Sequence, residues 1–470
     1  MDAWQLLRGD ALRYLEDAER HVVLPASDLG GVGDPITPHW DPAFGQPGPA
    51  RRRFIERLRS VGLITFRRTV RSHIGAFFVR KKPIPDPGGQ GAPIERIRLV
   101  LDCRPTNQLH RAPPKSRLAT PGALGSLNLS AEWSALGGDA GRQPLHVCGA
   151  SIDLQDGYYQ FEIEPLASWF SLGELFTAAD AGVSEVYDEQ SRSYVPVAAD
   201  EHVWACFRCI PMGWSWGLFF AHAALEEAGR KALLKCGLPA VLLSDWGPCP
   251  PITTETAIIA PFVDNGNVIG GSKEVVDKVL VALIGELESV GLKCHERCDA
   301  TQQFTMVGRL LDGERRTVQP SHRRMWRLWY GLGELLAIGA VSGRKLQRIT
   351  GHLVDLLSVR RECLSVLREV YTFLDGDPNV VRRMPQALVR ELQVARGLLP
   401  LCVARLDRDR CPVVLCSDAC EEGFAVHTSA AGPEEFWTAA QFKERWRFRE
   451  PLPPESDESD RSLSDELVQS

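Results

Sequence analysis

The sequence lacks any run of about eighteen uninterrupted apolar residues, which a helix needs to cross a bilayer. Its opening stretch, MDAWQLLRGDALRYLEDAERH, is acidic and amphipathic and lacks the apolar core of a signal peptide. The 13 cysteines are spread along the chain without the spacing of a disulfide scaffold. These absences argue against a membrane protein and against a disulfide-stabilised secreted domain. They predict an intracellular protein with reduced thiols, and no residue distinguishes nucleus from cytoplasm.

The chain also lacks the positive net charge typical of many nucleic-acid-binding proteins, since its formal charge is −6. The charge is nevertheless unevenly distributed. Residues 450–466 are acidic and rich in Pro and Ser, a composition typical of disordered segments. A basic block interleaved with apolar residues precedes residue 83, and such a block is either a solvated face or a surface that binds phosphates. Its basic residues are Arg51, Arg52, Arg53, Arg57, Arg59, Arg67, Arg68, Arg71, Arg80, Lys81 and Lys82.

The remaining composition is that of an ordinary globular protein, with 44% apolar and 24% charged residues over 470 positions, enough for several packed units. Residues 24–50 and 83–93 are rich in Gly and Pro and predict connecting loops. Hydrophobic periodicity predicts the secondary structure between the loops. We expect strands over 97–104, 145–152 and 257–263, a turn Asp264-Asn265-Gly266, a return strand 267–269, a helix over 219–234, a helix from N-cap Ser272 to near Gly291, and helices within 323–373. In the helix after Ser272, the spacing predicts one apolar stripe of Val276, Leu280, Leu283 and Leu287. Asp102 and Arg104 are expected to form a structural pair.

Two aspartates follow predicted strands: Asp153 comes after VCGASI, and Asp264 comes after AIIAPFV. Nucleotidyl transfer by two divalent metal ions requires carboxylates that hold the ions roughly 3.5–4 Å apart. One carboxylate at a strand end and another at the tip of an adjacent hairpin would supply them. Each aspartate taken singly is equally typical of a turn without function.

Seven segments in order resemble those of the reverse transcriptases of retroelements, nearest to LTR-type and DIRS-like retrotransposons. A weaker resemblance, to the first strand of an RNase H domain, lies in VVLCSDACEEGFAV (413–426). The seven segments are FFVRKK (77–82), IRLVLDCRPTN (97–107), SIDLQDGYYQFEI (151–163), FRCIPMGWSWGLFFAHAALE (207–226), IAPFVDNGNVIGG (259–271), SVGLKCHE (289–296) and FTMVGRLLDG (304–313).

The resemblance implies an α+β right-hand polymerase with fingers, a ferredoxin-like palm and a helical thumb, followed by a truncated RNase H-like remnant. The implied divisions are an N-terminal extension over 1–50, fingers over 51–137, a palm over 138–312 with a fingers insertion at about 166–204, a thumb over 313–376, a connector over 377–410, the remnant over 411–448 and an acidic disordered tail over 449–470.

The resemblance further implies an RNA-directed DNA polymerase that uses Mg²⁺, or Mn²⁺, with a primed RNA or DNA template and dNTPs. Asp153 and Asp264 would be the metal ligands, and Asn265 would complete the catalytic turn. Tyr158 would lie under the sugar and exclude a 2′-hydroxyl. The other implied contacts are Lys81, Arg98, Met212 and Gly213 to the nucleotide, Trp214, Arg323, Arg324, Arg344 and Lys345 to nucleic acid, and Asp418 as a nuclease residue of the remnant.

The sequence departs from this family at Asn265, where the family has a second aspartate, and at Met212, where many relatives have Gln. The family's lysine near the end of the palm has three candidate equivalents here, Lys293, His295 and Arg297. One alternative is therefore a catalytically impaired or co-opted protein that only binds nucleic acid.

Two further alternatives come from other classes of protein. An RNA-dependent RNA polymerase has a related palm, but Tyr158 argues against it because RNA synthesis needs room for the 2′-hydroxyl. A structural zinc site is a more distant alternative, because the pairs Cys206/Cys209 and Cys294/Cys298 have spacings that occur in zinc sites. The oligomeric state stays open.

Overall fold

The computed structural model describes residues 5–31, 33–84, 92–127, 129, 145–245, 252–408, 413–420, 423–432 and 435. The described residues up to Arg408 belong to one compact unit, and those from Val413 onwards belong to a second. None of the helices in these ranges combines the length and the apolar character that crossing a bilayer requires.

Helices and strands are mixed along the chain, which confirms the α+β class. The α-helices are α1 (Gly9–Glu16), α2 (Ala18–His21), α3 (Pro49–Ser60), α4 (Arg104–Gln108), α5 (Pro121–Gly125), α6 (Ala178–Ala181), α7 (Gly217–Lys235), α8 (Lys273–Ser289), α9 (His322–Ile338), α10 (Gly343–Leu357), α11 (Arg368–Leu374) and α12 (Gln386–Leu398).

The strands form several small antiparallel sheets. They are β1 (Ile64–Arg67), β2 (Gly75–Ile84), β3 (Ile94–Asp102), β4 (Cys148–Leu154), β5 (Ser171–Thr177), β6 (Glu185–Asp188), β7 (Ser193–Pro196), β8 (His202–Phe207), β9 (Ala257–Phe262), β10 (Asn265–Gly270), β11 (Cys294–Thr301), β12 (Gln303–Met306), β13 (Arg309–Asp312), β14 (Thr317–Pro320), β15 (Ala340–Ser342), β16 (Val381–Arg383), β17 (Ala404–Arg405), β18 (Val413–Cys420) and β19 (Gly423–Ala430).

The sheet that matters for the site has four strands in the order β11-β4-β10-β9, with each neighbouring pair antiparallel. Helices α7 and α8 pack against it and against each other. Helix α8 presents the predicted apolar stripe of Val276, Leu280, Leu283 and Leu287, and each of these side chains is 0% exposed. Burying this stripe against strands with apolar inner faces stabilises the sheet from one side.

The predicted ends of α8 are confirmed. The Ser272 hydroxyl accepts a hydrogen bond from the backbone N–H of Val275, as an N-cap side chain does. Gly291 follows the helix with a φ of +81°, a left-handed conformation that glycine adopts without strain. Helix α7 likewise covers the predicted range 219–234 and extends it at both ends.

The predicted strand over 97–104 is too long at its end, because β3 stops at Asp102 and Arg104 begins helix α4. The following proline lies in the first turn of that helix, where its missing N–H costs nothing. The predicted pairing of Asp102 with Arg104 is confirmed: the guanidinium donates from Nε at 2.8 Å and from Nη2 at 2.7 Å. Asp102 also accepts from the backbone N–H of His39, so it fixes the end of β3 to the N-terminal segment.

The predicted helical stretch over 323–373 is interrupted. Helix α9 ends before Gly339, whose φ is +71°, and the short strand β15 follows and pairs with β16. Helix α10 then continues into the 3₁₀ segment Ser358–Val366 before α11 begins. A left-handed glycine and a strand pairing that local periodicity does not reveal account for the break.

The second unit contains an antiparallel hairpin of β18 and β19, in which Asp418 lies opposite Ala425. The predicted first strand over 413–426 thus contains β18 and the beginning of β19. The described side chains of both strands are exposed. The predicted tail, residues 449–470, lies outside the described residues, and so do residues 85–91 of the predicted loop over 83–93.

Candidate active site

Asp153 lies in the centre of the four-stranded sheet, between β10 and β11. The expected strand over 145–152 is shifted: β4 runs to Leu154, so Asp153 is inside the strand and not after it. Its direct cross-strand partners are Asn265 on β10 and His295 on β11. This register places Asp153 beside Asn265 and His295, each of which is more than a hundred positions away from it in the sequence.

Asp264 lies at the tip of the β9–β10 hairpin. The predicted turn Asp264-Asn265-Gly266 is wrong, because Asn265 already pairs with Phe262 and the turn residues are Val263 and Asp264. The backbone carbonyl of Asp264 accepts a hydrogen bond from the Leu154 N–H at 2.9 Å. The tip of the hairpin is therefore fastened to the end of β4, next to Asp153.

The turn holds Val263 in a strained conformation, with a φ of +60°. A β-branched residue rarely adopts this conformation, and a two-residue hairpin turn normally has glycine there. Val263 is 8% exposed, and its N–H donates to Nδ1 of His222 on α7 at 3.4 Å. Packing and this hydrogen bond hold the strained turn in place, a pattern that recurs at functional sites.

Gly157 allows the turn to approach closely. A Cβ at residue 157 would lie 2.8 Å from the Cβ of Asp264, so any larger residue would displace the aspartate. Asp156, just before it, has a φ of +50° and starts the 3₁₀ turn Gly157–Gln160. The chain after β4 therefore folds back directly against the Asp264 side chain.

The carboxylates influence each other electrostatically. Burial raises the pKa of the Asp153 carboxyl to about 6, and the negative charge of Asp264 adds to the rise. The positive charges of His295 and Lys81 act in the opposite direction. Burial, followed by the charge of Asp264, also raises the pKa of the Tyr158 hydroxyl to about 12. Two anionic oxygen donors forced together in a partly exposed site fit a hard divalent cation, which relieves their repulsion.

The side chain of Asn265 lies against Asp264. Its side-chain amide donates a hydrogen bond to Oδ1 of Asp264 at 2.9 Å. The amide therefore orients the carboxylate and adds no negative charge of its own. Where a second aspartate would repel Asp264, this residue stabilises it.

The predicted nucleotide-contacting cations lie on the β2–β3 hairpin, where Lys81 pairs with Arg96 and Arg98 pairs with Val79. The charge of Lys81 lowers the pKa of Asp153, which places it within electrostatic range of the carboxylates. Arg98 is exposed, and its charge lowers the pKa of Tyr159, which burial raises. The structure thus brings Lys81 near the carboxylates and Arg98 near Tyr159.

The segment around Pro211 is held against the end of β3, because the Met212 carbonyl accepts from the Leu101 N–H at 3.1 Å. Gly213 has a φ of +132°, and a Cβ there would lie 2.1 Å from the Leu101 carbonyl oxygen. Gly213 therefore allows this segment to lie directly against the backbone of β3.

Trp214 was predicted to contact nucleic acid, but the structure buries its side chain. Its side chain is 4% exposed, and its indole N–H donates to Nδ1 of His110 at 2.9 Å. It packs against Phe170 and Phe220 in the core. The indole therefore supports the turn from inside.

The predicted basic residues Arg323, Arg344 and Lys345 are exposed on α9 and α10. Arg324 is also exposed but forms a 2.6 Å ion pair with Asp355, which reduces its availability for phosphates. Sequence reasoning missed that α9 also exposes aromatic side chains, with Trp326 43% and Tyr330 65% exposed. Their helical spacing relative to Arg323 was visible in the sequence, and only the structure shows that this face is left uncovered.

Of the three candidates for the missing lysine, His295 lies at Asp153, with its Nε2 3.7 Å from Oδ2 of that aspartate. Lys293 is tied through its backbone to Gln155 and Gln160, and the Arg297 guanidinium pairs with Asp299. Gln160 was missed altogether, although its amide joins the loop after β4 to the start of β11. Nothing in the local sequence indicates that role.

The distant alternative of a structural zinc site is not supported by the described residues. Cys206 and Cys209 are buried in and after β8, at 0% and 3% exposure. Within the described ranges, the group of side chains arranged to hold a metal consists of Asp153, His295 and Glu296, without cysteine. The cysteines of β8 therefore fill the core.

No family model matches the chain, and no curated protein matches it. Solved structures that are similar to the chain include three of the foamy viral protease-reverse transcriptase. The dRH form in complex with double-stranded DNA is 13% identical with a TM-score of 0.46, over 100% of this chain and 79% of the other. The complex with RNA/DNA hybrid is 14% identical with a TM-score of 0.43, over 93% and 53%. A further complex with double-stranded DNA is 13% identical with a TM-score of 0.45, over 97% and 91%. At these identities and TM-scores, the similarities do not identify a function.

Proposed function

We propose that this chain is an RNA-directed DNA polymerase of retroelement type. The observation that carries the proposal is the convergence of Asp153 and Asp264. The end of β4 and the strained β9–β10 turn hold the two residues together at one end of the inner strands. Sheet β11-β4-β10-β9 with α7 and α8 would be the palm, the β2–β3 hairpin part of the fingers, and α9 to α11 the thumb.

In this proposal, Asp153 and Asp264 hold Mg²⁺, and Asn265 orients Asp264 through its amide. When bound, a pair of such ions would activate the primer hydroxyl and stabilise the charge that develops on the α-phosphate. Lys81 and Arg98 would bind the triphosphate oxygens and offset their negative charge. These two residues also orient the leaving pyrophosphate.

Tyr158 would select the sugar. It lies in the 3₁₀ turn directly after the Asp153 strand, and its ring packs close to Gly217 at the start of α7, where an added Cβ would lie 3.4 Å from Cε1. A ring fixed in this way leaves no room for a 2′-hydroxyl, so deoxynucleotides would be favoured.

The exposed face of α9 would contact the primer–template duplex. It combines Arg323 with the aromatic rings of Trp326 and Tyr330, and α10 adds Arg344 and Lys345. Cationic side chains would follow the phosphates without reading sequence, so binding should weaken steeply with salt.

The decisive experiment is primer extension on poly(rA)/oligo(dT) with dTTP, in Mg²⁺ and then in Mn²⁺. Asp153→Asn and Asp264→Asn should each reduce the rate by at least about a thousandfold, because each would remove a metal ligand. Asp156→Asn is the matched control: Asn tolerates the left-handed conformation of residue 156, and the rate should stay within about threefold. Extension that survives Asp153→Asn would contradict the proposal.

A second arm tests the sugar selection. Tyr158→Ala should admit ribonucleotides, whereas Tyr159→Phe should not, because the Tyr159 hydroxyl donates to the Leu99 carbonyl within the protein. A Tyr158→Ala enzyme that still excludes ribonucleotides would show that another residue selects the sugar.

The alternative function is binding of nucleic acid without polymerisation. Asn265 favours it, because the site has one anionic group fewer than the family pattern. It predicts that the primer–template binds with steep salt dependence while neither metal supports extension.

A further inference from the structure

Strand β11 carries an irregularity beside Asp153. Neighbouring residues in a regular strand point to opposite faces of the sheet. Here the register with β4 shifts between His295 and Cys298, and Glu296 has a φ of +51°. This bulge brings Glu296 to the same side as His295, with Oε1 of the glutamate 3.8 Å from Nε2 of the histidine.

The imidazole of His295 is oriented by a second contact. Its Nδ1 lies 3.1 Å from the backbone carbonyl oxygen of Asp153. A carbonyl oxygen only accepts hydrogen bonds, so Nδ1 carries a proton and donates it to this carbonyl. Nε2, on the other side of the ring, lies 3.7 Å from Oδ2 of Asp153 and 3.8 Å from Oε1 of Glu296. Histidines that bind metals are held in this way, with the other ring N–H donated to a carbonyl or carboxylate.

We propose that Asp153, His295 and Glu296 form a site for a divalent transition metal ion. The three ligand atoms lie within 4.8 Å of one another, and small side-chain rotations would bring them to the roughly 2.0–2.2 Å bond lengths of such ions. An imidazole nitrogen favours Mn²⁺, Co²⁺ or Zn²⁺ over Mg²⁺, which prefers oxygen ligands alone.

The site goes beyond the proposed polymerase function, because it does not use Asp264. It shares only Asp153 with the carboxylate pair. An ion bound to His295 would thus compete with Mg²⁺ for an oxygen of Asp153. The side chains of His295 and Glu296 on β11 would then decide whether Mg²⁺ or a transition metal ion binds there. Glu296 is 71% exposed, so the site is open to ions from solvent.

Titration of the full-length, chelator-treated protein with Co²⁺ tests the site, because the visible absorption of Co²⁺ changes when nitrogen replaces oxygen ligands. Wild type should bind Co²⁺ with a nitrogen-containing spectrum that Zn²⁺ displaces. His295→Gln should weaken binding by at least about tenfold and remove the nitrogen signature. Glu296→Gln should weaken it less, since it keeps the imidazole nitrogen that favours Co²⁺.

Two controls separate this site from the carboxylate pair and from adventitious binding. Asp264→Asn disables the pair but should keep Co²⁺ affinity within about threefold, since it removes none of the three ligands. His202→Gln removes an exposed histidine on another sheet and should change nothing. Mg²⁺ affinity should be insensitive to His295→Gln.

The proposal is overturned if His295→Gln binds Co²⁺ with wild-type affinity and spectrum. It is equally overturned if Asp264→Asn abolishes binding while His295→Gln retains it, because the ion would then lie on the carboxylate pair. In that case His295 is a charged partner bridging two carboxylates. Absence of primer extension contradicts the polymerase proposal alone and leaves the Co²⁺ result unaffected.

Discussion

Two constraints restrict position 213 to glycine: the backbone conformation and the lack of space for a Cβ. Its φ of +132° is rarely adopted by residues with a Cβ, and the Leu101 carbonyl oxygen would lie 2.1 Å from that atom. Both constraints arise because the segment after Pro211 lies directly against β3. Elsewhere the two constraints occur separately: Gly62 has a φ of +80° with no atom within 4 Å of an added Cβ.

Gly213→Ala is therefore expected to destabilise the protein more than Gly62→Ala. The Gly62 change costs only backbone strain, about 1 kcal/mol. The Gly213 change adds displacement of β3, for a total of about 3 kcal/mol or more. Urea unfolding of both variants measures the difference. Equal midpoints for the two variants would mean that β3 moves aside without cost.

At the scale of elements, α8 supports the hairpin that carries Asp264. A Cβ on Gly266 would lie 2.8 Å from Cδ2 of Leu283 and 3.0 Å from Cδ1 of Ile152, so helix and sheet are closely packed at this point. The hairpin is therefore held by α8 close to its turn and by Leu154 and His222 at the turn itself.

Leu283→Ala should lower the free energy of unfolding by about 3 kcal/mol, because a fully buried leucine leaves a cavity. Val281→Ala is the matched control on the same helix: Val281 is 54% exposed, and its loss should cost less than about 1 kcal/mol. Chemical denaturation measures both values. A cost for Leu283→Ala no greater than that of the control would show that the side chains between α8 and the hairpin repack to fill the cavity.

At the scale of the whole molecule, stability depends on histidines that are buried in the neutral form. His110 and His222 are 5% and 1% exposed, and burial lowers the pKa of each to about 4. Glu226, 3.6 Å from His222, does not reverse this shift, because burial raises the pKa of that glutamate and disfavours its charge. Both Nδ1 atoms accept hydrogen bonds, from Trp214 and Val263 respectively.

The unfolded chain binds protons at these histidines near pH 6.5, whereas the folded chain binds them only near pH 4. The stability they contribute is therefore complete above pH 6.5 and is lost as the pH falls towards 4. At pH 5 the loss is about 2 kcal/mol for each histidine. The double variant His110→Asn/His222→Asn keeps an acceptor at the Nδ1 position and should lose this pH dependence.

Urea unfolding at pH 5.0 and 7.5 measures the effect, with His322→Asn, a change at an exposed position, as the control. The control should keep the full difference between the two pH values. A double variant as pH-dependent as wild type would place the titrating groups elsewhere.

The sequence by itself determined the existence and type of the main elements. The 3.6-residue periodicity of α8, its cap Ser272 and the terminal Gly291 depend on local interactions, so they could be predicted without the fold. The same holds for the pairing of Asp102 with Arg104, which are two residues apart. The positions of Asp153 and Asp264 near the ends of strands were also predicted, since each follows a clearly apolar run of residues.

Only the tertiary structure decided the register and the surroundings of these residues. The Asn-Gly pair predicted a turn at Asp264–Gly266, but the pairing with β4 places Asn265 opposite Asp153 and moves the turn to Val263. A local turn preference of about 1 kcal/mol does not outweigh a ladder of strand pairs packed on α8. His295 and Trp214 show the same dependence on long-range contacts. The bulge in β11 turns His295 and Glu296 towards Asp153, and contacts with residues far away in the sequence bury Trp214, so short-range patterns could not reveal either outcome.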